Sequence, residues 1–217
     1  MPAEVQLVLD WDGTVTETDG LHLVLLEFGD ETLYDAAENR LGRDLTLHEV
    51  IALEFRSVTA PLEEVVAWMV ENVRIRPGFA ELVAEYRPQI VSSGFHELIE
   101  PILEREGVRL DVRANRVDPR RDGWRALFRH DTACALCGQP CKRADLAGTG
   151  EFAYAGDGFS DRCVARLATR VFARDGLALY LEERSVPFER FADFYDVAEA
   201  LASGDVVPPT RSRGRNT

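Results

Sequence analysis

The spacing of apolar positions changes character twice along the chain. Residues 5–10, VQLVLD, are a short apolar run rich in β-branched side chains that stops at DGT, the pattern of a buried strand. From about residue 20 to residue 73 the period becomes helical, in LHLVLLEF, LTLHEVIALEFRSV and LEEVVAWMVENV, with Pro61 suited to open the third helix. After RPGF (76–79) short strands and helices alternate. GFAELVAEY reads as helix, QIVSS as strand, FHELIEPILERE as helix and VRLDVRANRV as strand or hairpin. EFAYAGDG then reads as strand, SDRCVARLA as helix and TRVFAR as strand, and GLALYLEERS and FYDVAEALAS are the last helices. This alternation predicts an α/β fold, a Rossmann-like parallel sheet with helices on both faces. The helical block that interrupts it after the first strand predicts an inserted α-helical cap. The expected division is a discontinuous core of residues 1–15 and 76–207, a cap of 16–75 and a flexible tail of 208–217.

Composition narrows the possible partners. The 217 residues are 46% hydrophobic, enough for a sizeable core. No apolar run approaches the roughly 18 residues of a membrane span, and no charged-then-apolar leader is visible, so the expectation is a cytoplasmic protein away from membranes. A formal charge of −13 argues against a nucleic-acid partner, since phosphate backbones are bound by positive surfaces. It does not argue against a small phosphorylated metabolite, because a few local cations or a metal can reverse the field inside a cleft. Oligomeric state is not legible.

The chemistry-bearing residues follow the strands, where ligands sit in an open parallel sheet. VLDWDGT carries Asp10 and Asp12, QIVSSGF carries Ser92, and EFAYAGDGFSD carries Asp157 and Asp161. Between the last two lies Lys142, the only lysine among 25 basic residues. An Asp-x-Asp after a strand also suits a turn with Asx capping, or the metal–nucleotide site of a glycosyltransferase. An EF-hand is excluded, because Gly13 comes too early and a strand precedes the loop. Trp11 reads as packing.

These four pieces, in this order and across the whole chain, resemble the motifs of the haloacid dehalogenase-like (HAD) phosphohydrolase superfamily. ACALCGQPCK and the downstream VFARDGLALYLEERSVPFERFADFYDVAEAL are similar to the branch holding phosphoserine phosphatases and 2-hydroxy-3-keto-5-methylthiopentenyl-1-phosphate phosphatases. The resemblance implies a Mg2+-dependent phosphatase acting through an aspartyl-phosphate, with Asp10 as nucleophile. Asp12 would protonate the leaving alcohol and then activate water. Mg2+ would be held by Asp10, the backbone carbonyl of Asp12, and Asp157, with Asp161 bound to it or just behind. Ser92 would hydrogen-bond the phosphoryl group, and Gly13, Ser93 and Gly94, with Gly156 and Gly158, would line its turns. Ser93 stands where the family pattern has glycine. Lys142 would balance the nucleophile's charge, a task for a compact ammonium with three rotatable donors that a wide guanidinium does not imitate. An acid at position 12 favours phosphate esters over carbon–halogen bonds. A phosphotransferase, and a non-catalytic metal- or ligand-binding module, are the alternatives on the same scaffold.

Two further groups are legible. His130, Cys134, Cys137 and Cys141 have spacings compatible with tetrahedral Zn2+, and a metal-free Cys-rich loop packed on the core fits them as well. Cys163 is expected in the core. Glu17, Asp19, His22 and Arg56 are polar candidates near or within the cap for reading the leaving group.

Overall fold

The computed structural model describes residues 6–203. Strand β1 (Gln6–Leu9) is followed by four helices, α1 (Gly20–Phe28), α2 (Glu31–Glu38), α3 (Leu47–Phe55) and α4 (Leu62–Asn72). Then come α5 (Phe79–Tyr86), β2 (Gln89–Phe95), α6 (His96–Arg105), β3 (Val112–Asp118) and β4 (Arg125–Leu127). The rest is β5 (Phe152–Gly156), β6 (Arg170–Ala173), α7 (Asp175–Glu183), β7 (Glu189–Arg190) and α8 (Phe194–Ser203), with 3-10 turns at Lys142–Leu146 and Phe159–Asp161. The expected tail lies outside the described residues.

The sheet order is β4-β3-β2-β1-β5-β6-β7, parallel except for the β3–β4 pair. β1 is central, with Leu9 beside Ile90 of β2 and Ala155 of β5. The chain leaves β1 towards one edge and returns to the other side at β5, so a crevice opens beyond the carboxyl ends of these strands. Alternation along β1 explains its burial: Leu7 and Leu9 join one hydrophobic cluster and Val8 the other. Trp11 is 1% exposed and meets Phe79 edge-on, packing as expected.

The helices between β1 and α5 are tied to the sheet at defined points. Phe55 of α3 packs edge-on against Phe95 and stacks on Trp124, whose indole N–H donates to the Ala60 carbonyl at 2.9 Å. Gly123, at φ +108, lets the β3–β4 hairpin approach, because a Cβ there would lie 2.0 Å from the Arg56 carbonyl. At the return to the core, buried Arg76 donates to the carbonyls of Gly13, Thr14, Thr16 and Ala192. It thereby clamps the loop that follows β1.

Four elements differ from the expectation, one of them the two-residue edge strand β7, which has no counterpart in it. Helix α2 has no counterpart in it; it buries only Ala37, so its apolar stripe is faint, and Asp30 caps it by accepting from the Leu33 amide. Residues 160–168 form turns rather than a helix beyond the short 3-10 segment. The Asp161 carboxylate accepts the amides of Asp157 and Gly158, so a side chain bends the entry to this segment. VRLDVRANRV supplies one strand, β3, whose hairpin partner β4 lies beyond it. Among the described residues no helix is long and apolar enough to cross a membrane.

Candidate active site

Asp10 extends β1 by one rung, its amide donating to the Ala155 carbonyl at 2.9 Å. It is 4% exposed, and its carboxylate accepts the Trp11 amide and contacts the Lys142 ammonium directly. The same ammonium lies 2.7 Å from Asp161. Asp161 is encircled by donors: Lys142, the Tyr154 hydroxyl at 2.6 Å, the Ser160 hydroxyl, and the amides of Asp157 and Gly158. Asp157 accepts from the Thr14 hydroxyl at 2.9 Å. Gly13, at φ +74, allows this approach, since a Cβ there would sit 2.4 Å from an Asp157 oxygen.

Asp12 turns to the neighbouring strand. One oxygen accepts the Gly20 amide at 3.1 Å, and the other accepts the Ser92 hydroxyl at 3.3 Å. The Ser92 oxygen in turn accepts the Gly94 amide at 2.8 Å. A Cβ on Gly94 would meet that Asp12 oxygen at 2.8 Å, so glycine is needed there. Ser93 lines the cleft and is not among the described non-glycine residues with positive φ, so a side chain costs this backbone nothing. Asp10, Asp12, Ser92, Gly94, Lys142, Asp157 and Asp161 therefore converge from segments distant in sequence.

Electrostatics follow from burial. Desolvation, with the Asp161 charge, pushes Asp10 well above the ordinary carboxylate value, although Lys142 opposes it. Burial and the Asp19 charge push Asp12 up to about 8, and burial and Asp161 push Asp157 up to about 7. Asp161 is the opposite case: burial raises it, but the Lys142 charge and its surrounding donors hold it below the ordinary value. Lys142 is held above its own ordinary value by Asp10 and Asp161 despite burial. Several carboxylates thus share one ammonium. Asp10, Asp157 and Asp161 each offer an oxygen within 4.8 Å of the others, an all-oxygen set short of positive charge that suits a hard divalent cation.

The cleft over these groups is walled by α1, α2 and α3, through Leu21, Leu25, Tyr34, Glu38, Ile51 and Glu54. Asp19 and His22 line it too, Asp19 while capping α1 and His22 while stacked on Tyr34 at 4.2 Å. Glu17 and Arg56 are exposed and do not line it. Glu54 and Glu38 were not foreseen. Glu54 was legible, because α3 buries Val50, Ile51, Glu54 and Phe55, a helical stripe with one carboxylate in an apolar place. One Glu54 oxygen is buried without a hydrogen-bond partner.

The expected zinc set is not assembled as such. The His130 ring nitrogen Nε2 lies 2.8 Å from Asp145, which also receives Arg129, so His130 is held away from the thiols by an ion-pair network. Cys163 is buried as expected, yet it faces the loop, its sulfur 3.7 Å from that of Cys134.

Comparison with known proteins defines the class. The haloacid dehalogenase-like hydrolase family model matches residues 7–166, and the chain belongs to that family of enzymes. Among its curated relatives is a 2-hydroxy-3-keto-5-methylthiopentenyl-1-phosphate phosphatase of Geobacillus kaustophilus (strain HTA426), 26% identical over 95% of this chain and 100% of the relative. The enzyme of that name from Bacillus cereus (strain ATCC 10987 / NRS 248) is 25% identical over 91% of this chain and 95% of its own. A phospho-aspartyl intermediate analogue of phosphoserine phosphatase has the same fold, with TM-score 0.65 and 18% identity over 91% of this chain and 99% of that one. A substrate-bound phosphoserine phosphatase complex aligns with TM-score 0.65 and 19% identity over 90% and 98%.

Burial, together with Glu38 and Asp19, raises Glu54 from the usual 4.5 to about 8. The folded state therefore holds this proton more tightly than the unfolded chain. Its contribution to stability is full below pH 4.5, declines as pH rises from there, and is gone above about pH 8. Glu54→Gln should gain stability relative to wild type as pH rises through that window, read as urea midpoints at about pH 5 and about pH 9. A difference between the two proteins that does not change with pH would refute the assignment.

Proposed function

We propose that this enzyme is a Mg2+-dependent phosphatase that hydrolyses the phosphomonoester of a small cytoplasmic metabolite through an aspartyl-phosphate on Asp10. The observation that carries the reading is the Lys142 ammonium held between Asp10 and Asp161 at the carboxyl ends of the central strands. In this reading residues 16–75 act as a cap over that crevice, and the remainder is the core.

The residues divide the work as follows. The Asp10 carboxylate attacks phosphorus; its O–P bond forms as the bond from phosphorus to the leaving oxygen breaks. Asp12, protonated at neutral pH with its carboxyl pushed up to about 8, gives its proton to that oxygen. Asp12 then takes a proton from the water that hydrolyses the aspartyl-phosphate, returning Asp10 and releasing phosphate. Ser92 and Lys142 donate to the phosphoryl oxygens, and Lys142 opposes the rise that burial and Asp161 impose on Asp10. Asp10, the Asp12 carbonyl and Asp157 would hold Mg2+, which when bound supplies positive charge against the repulsion between nucleophile and phosphate. Asp161, surrounded by donors, holds Lys142 and the 157–158 backbone from behind.

The cleft suggests the substrate's charge. Asp19, Glu38 and Glu54 line it, and no lysine or arginine does among the described residues. A leaving group bearing a carboxylate would face the exposed Asp19 and Glu38 carboxylates, with Glu54 held protonated at neutral pH, whereas an uncharged one would not be repelled. The name of the curated relatives' substrate describes hydroxyl, keto and methylthio groups on a carbon chain, an uncharged leaving group in keeping with this wall.

Hydrolysis of p-nitrophenyl phosphate should require Mg2+ and should be lost in Asp10→Asn, which keeps the shape and removes the nucleophile. Wild-type rates in that variant would reject the mechanism. In kcat/KM, a phosphomonoester with an uncharged leaving group should exceed 3-phosphoglycerate, whose leaving group carries a carboxylate and no cation, by at least about tenfold, the effect of roughly 1.4 kcal/mol of charge repulsion. Equal use of the two would reject the assigned role of the acidic wall.

A further inference from the structure

The loop after β4 raises a physical problem. None of residues 130–141 is buried, Leu136 is 41% exposed, and the segment has no helix or strand. A loop this long needs something other than a core to hold it. Yet it delivers Lys142, the residue directly after Cys141, to a buried position between two carboxylates.

Four thiols stand where a fastening is required. Cys134, Cys137 and Cys141 come from the loop and Cys163 from the stretch beyond β5; all four are free, and their sulfurs lie within 4.8 Å of one another. Tetrahedral zinc with Zn–S bonds of about 2.3 Å requires sulfurs roughly 3.8 Å apart, so the cluster needs only a small contraction. The loop is already coiled around it. The Leu136 amide points at the Cys134 sulfur at 3.4 Å, and the Gly138 amide donates to the Cys134 carbonyl at 2.8 Å, with Gly138 at φ +75 closing the turn. Charge agrees as well. In a strongly acidic chain, the cavity that Cys137, Cys141 and Cys163 share is lined by Arg162, Arg166 and Arg184, besides Arg129, which is paired with Asp145. Four thiolates around one divalent ion carry a net charge of about −2, which such a lining offsets.

We propose that Cys134, Cys137, Cys141 and Cys163 bind one structural zinc ion that fastens the loop carrying Lys142 to the segment after β5. Four protein ligands close the coordination sphere, so the ion takes no part in the reaction and stands apart from the carboxylate site. His130 is not a ligand.

The test reads metal rather than activity. Purified wild-type protein should contain one zinc per chain by elemental analysis. A thiol-specific mercurial should release that zinc to a chromogenic chelator. His130→Ala should retain the ion and Cys163→Ser should lose it. Because Cys163→Ser can fail to fold, cobalt loading of the wild type supplies the second reading: strong thiolate-to-metal charge-transfer bands and tetrahedral visible bands, abolished by zinc. Four thiols that titrate freely in the presence of excess zinc, cobalt bound without charge-transfer bands, or zinc lost in His130→Ala and kept in Cys163→Ser would each overturn the proposal.

Discussion

The structure depends on one ammonium surrounded by acids. Asp10, Asp157 and Asp161 bring oxygens within 4.8 Å of one another, Asp10 and Asp161 being buried, and Lys142, 2% exposed, is the cation held between those two. Moving such groups out of water costs several kcal/mol each unless they are paired and hydrogen-bonded. The protein meets that cost unevenly. Asp161 receives donors on both oxygens and stays ionised, while Asp10 and Asp157 are left electrostatically strained. That imbalance is one that a divalent cation bound among these carboxylates would relieve.

Bringing these groups together is the task of the fold. β1 sits between β2 and β5, so the residues that follow each strand meet at one end of the sheet. Arg76 clamps the loop carrying Asp12 and Gly13 through its backbone carbonyls, and Gly13 yields the space that Asp157 occupies. On the other side of the cleft, Trp124 and Gly123 dock the end of α3 against the β3–β4 hairpin, and α3 supplies Glu54 to the wall. In the proposed reading, chemistry and selectivity rest on different parts of the chain, the strand ends and the helices between β1 and α5.

Much of this was legible in the sequence, for physical reasons. The parallel sheet and the inserted helices follow from apolar periods, and the acids, Ser92 and Lys142 stand at strand ends or in the loop between them, where such a sheet gathers its ligands. Lys142 announced itself as the only lysine. What escaped depended on tertiary contacts or faint patterns. Helix α2 buries a single alanine, and the entry to residues 160–168 is bent by the Asp161 side chain. Position along the chain put His130 near the cysteines, but its ring contacts Asp145 instead, and the fourth thiol comes from Cys163, close only in space. Glu54 could have been found, since a carboxylate in the buried stripe of a helix breaks the pattern.

Substituting arginine at position 142 tests the central claim most directly, because it keeps the positive charge and changes only its shape. With folding checked by circular dichroism and kcat measured at saturating Mg2+, the account predicts that Lys142→Arg falls at least about 100-fold, the loss typical of misplacing one essential donor at the reacting group. A folded Lys142→Arg protein that turns over like the wild type would contradict it.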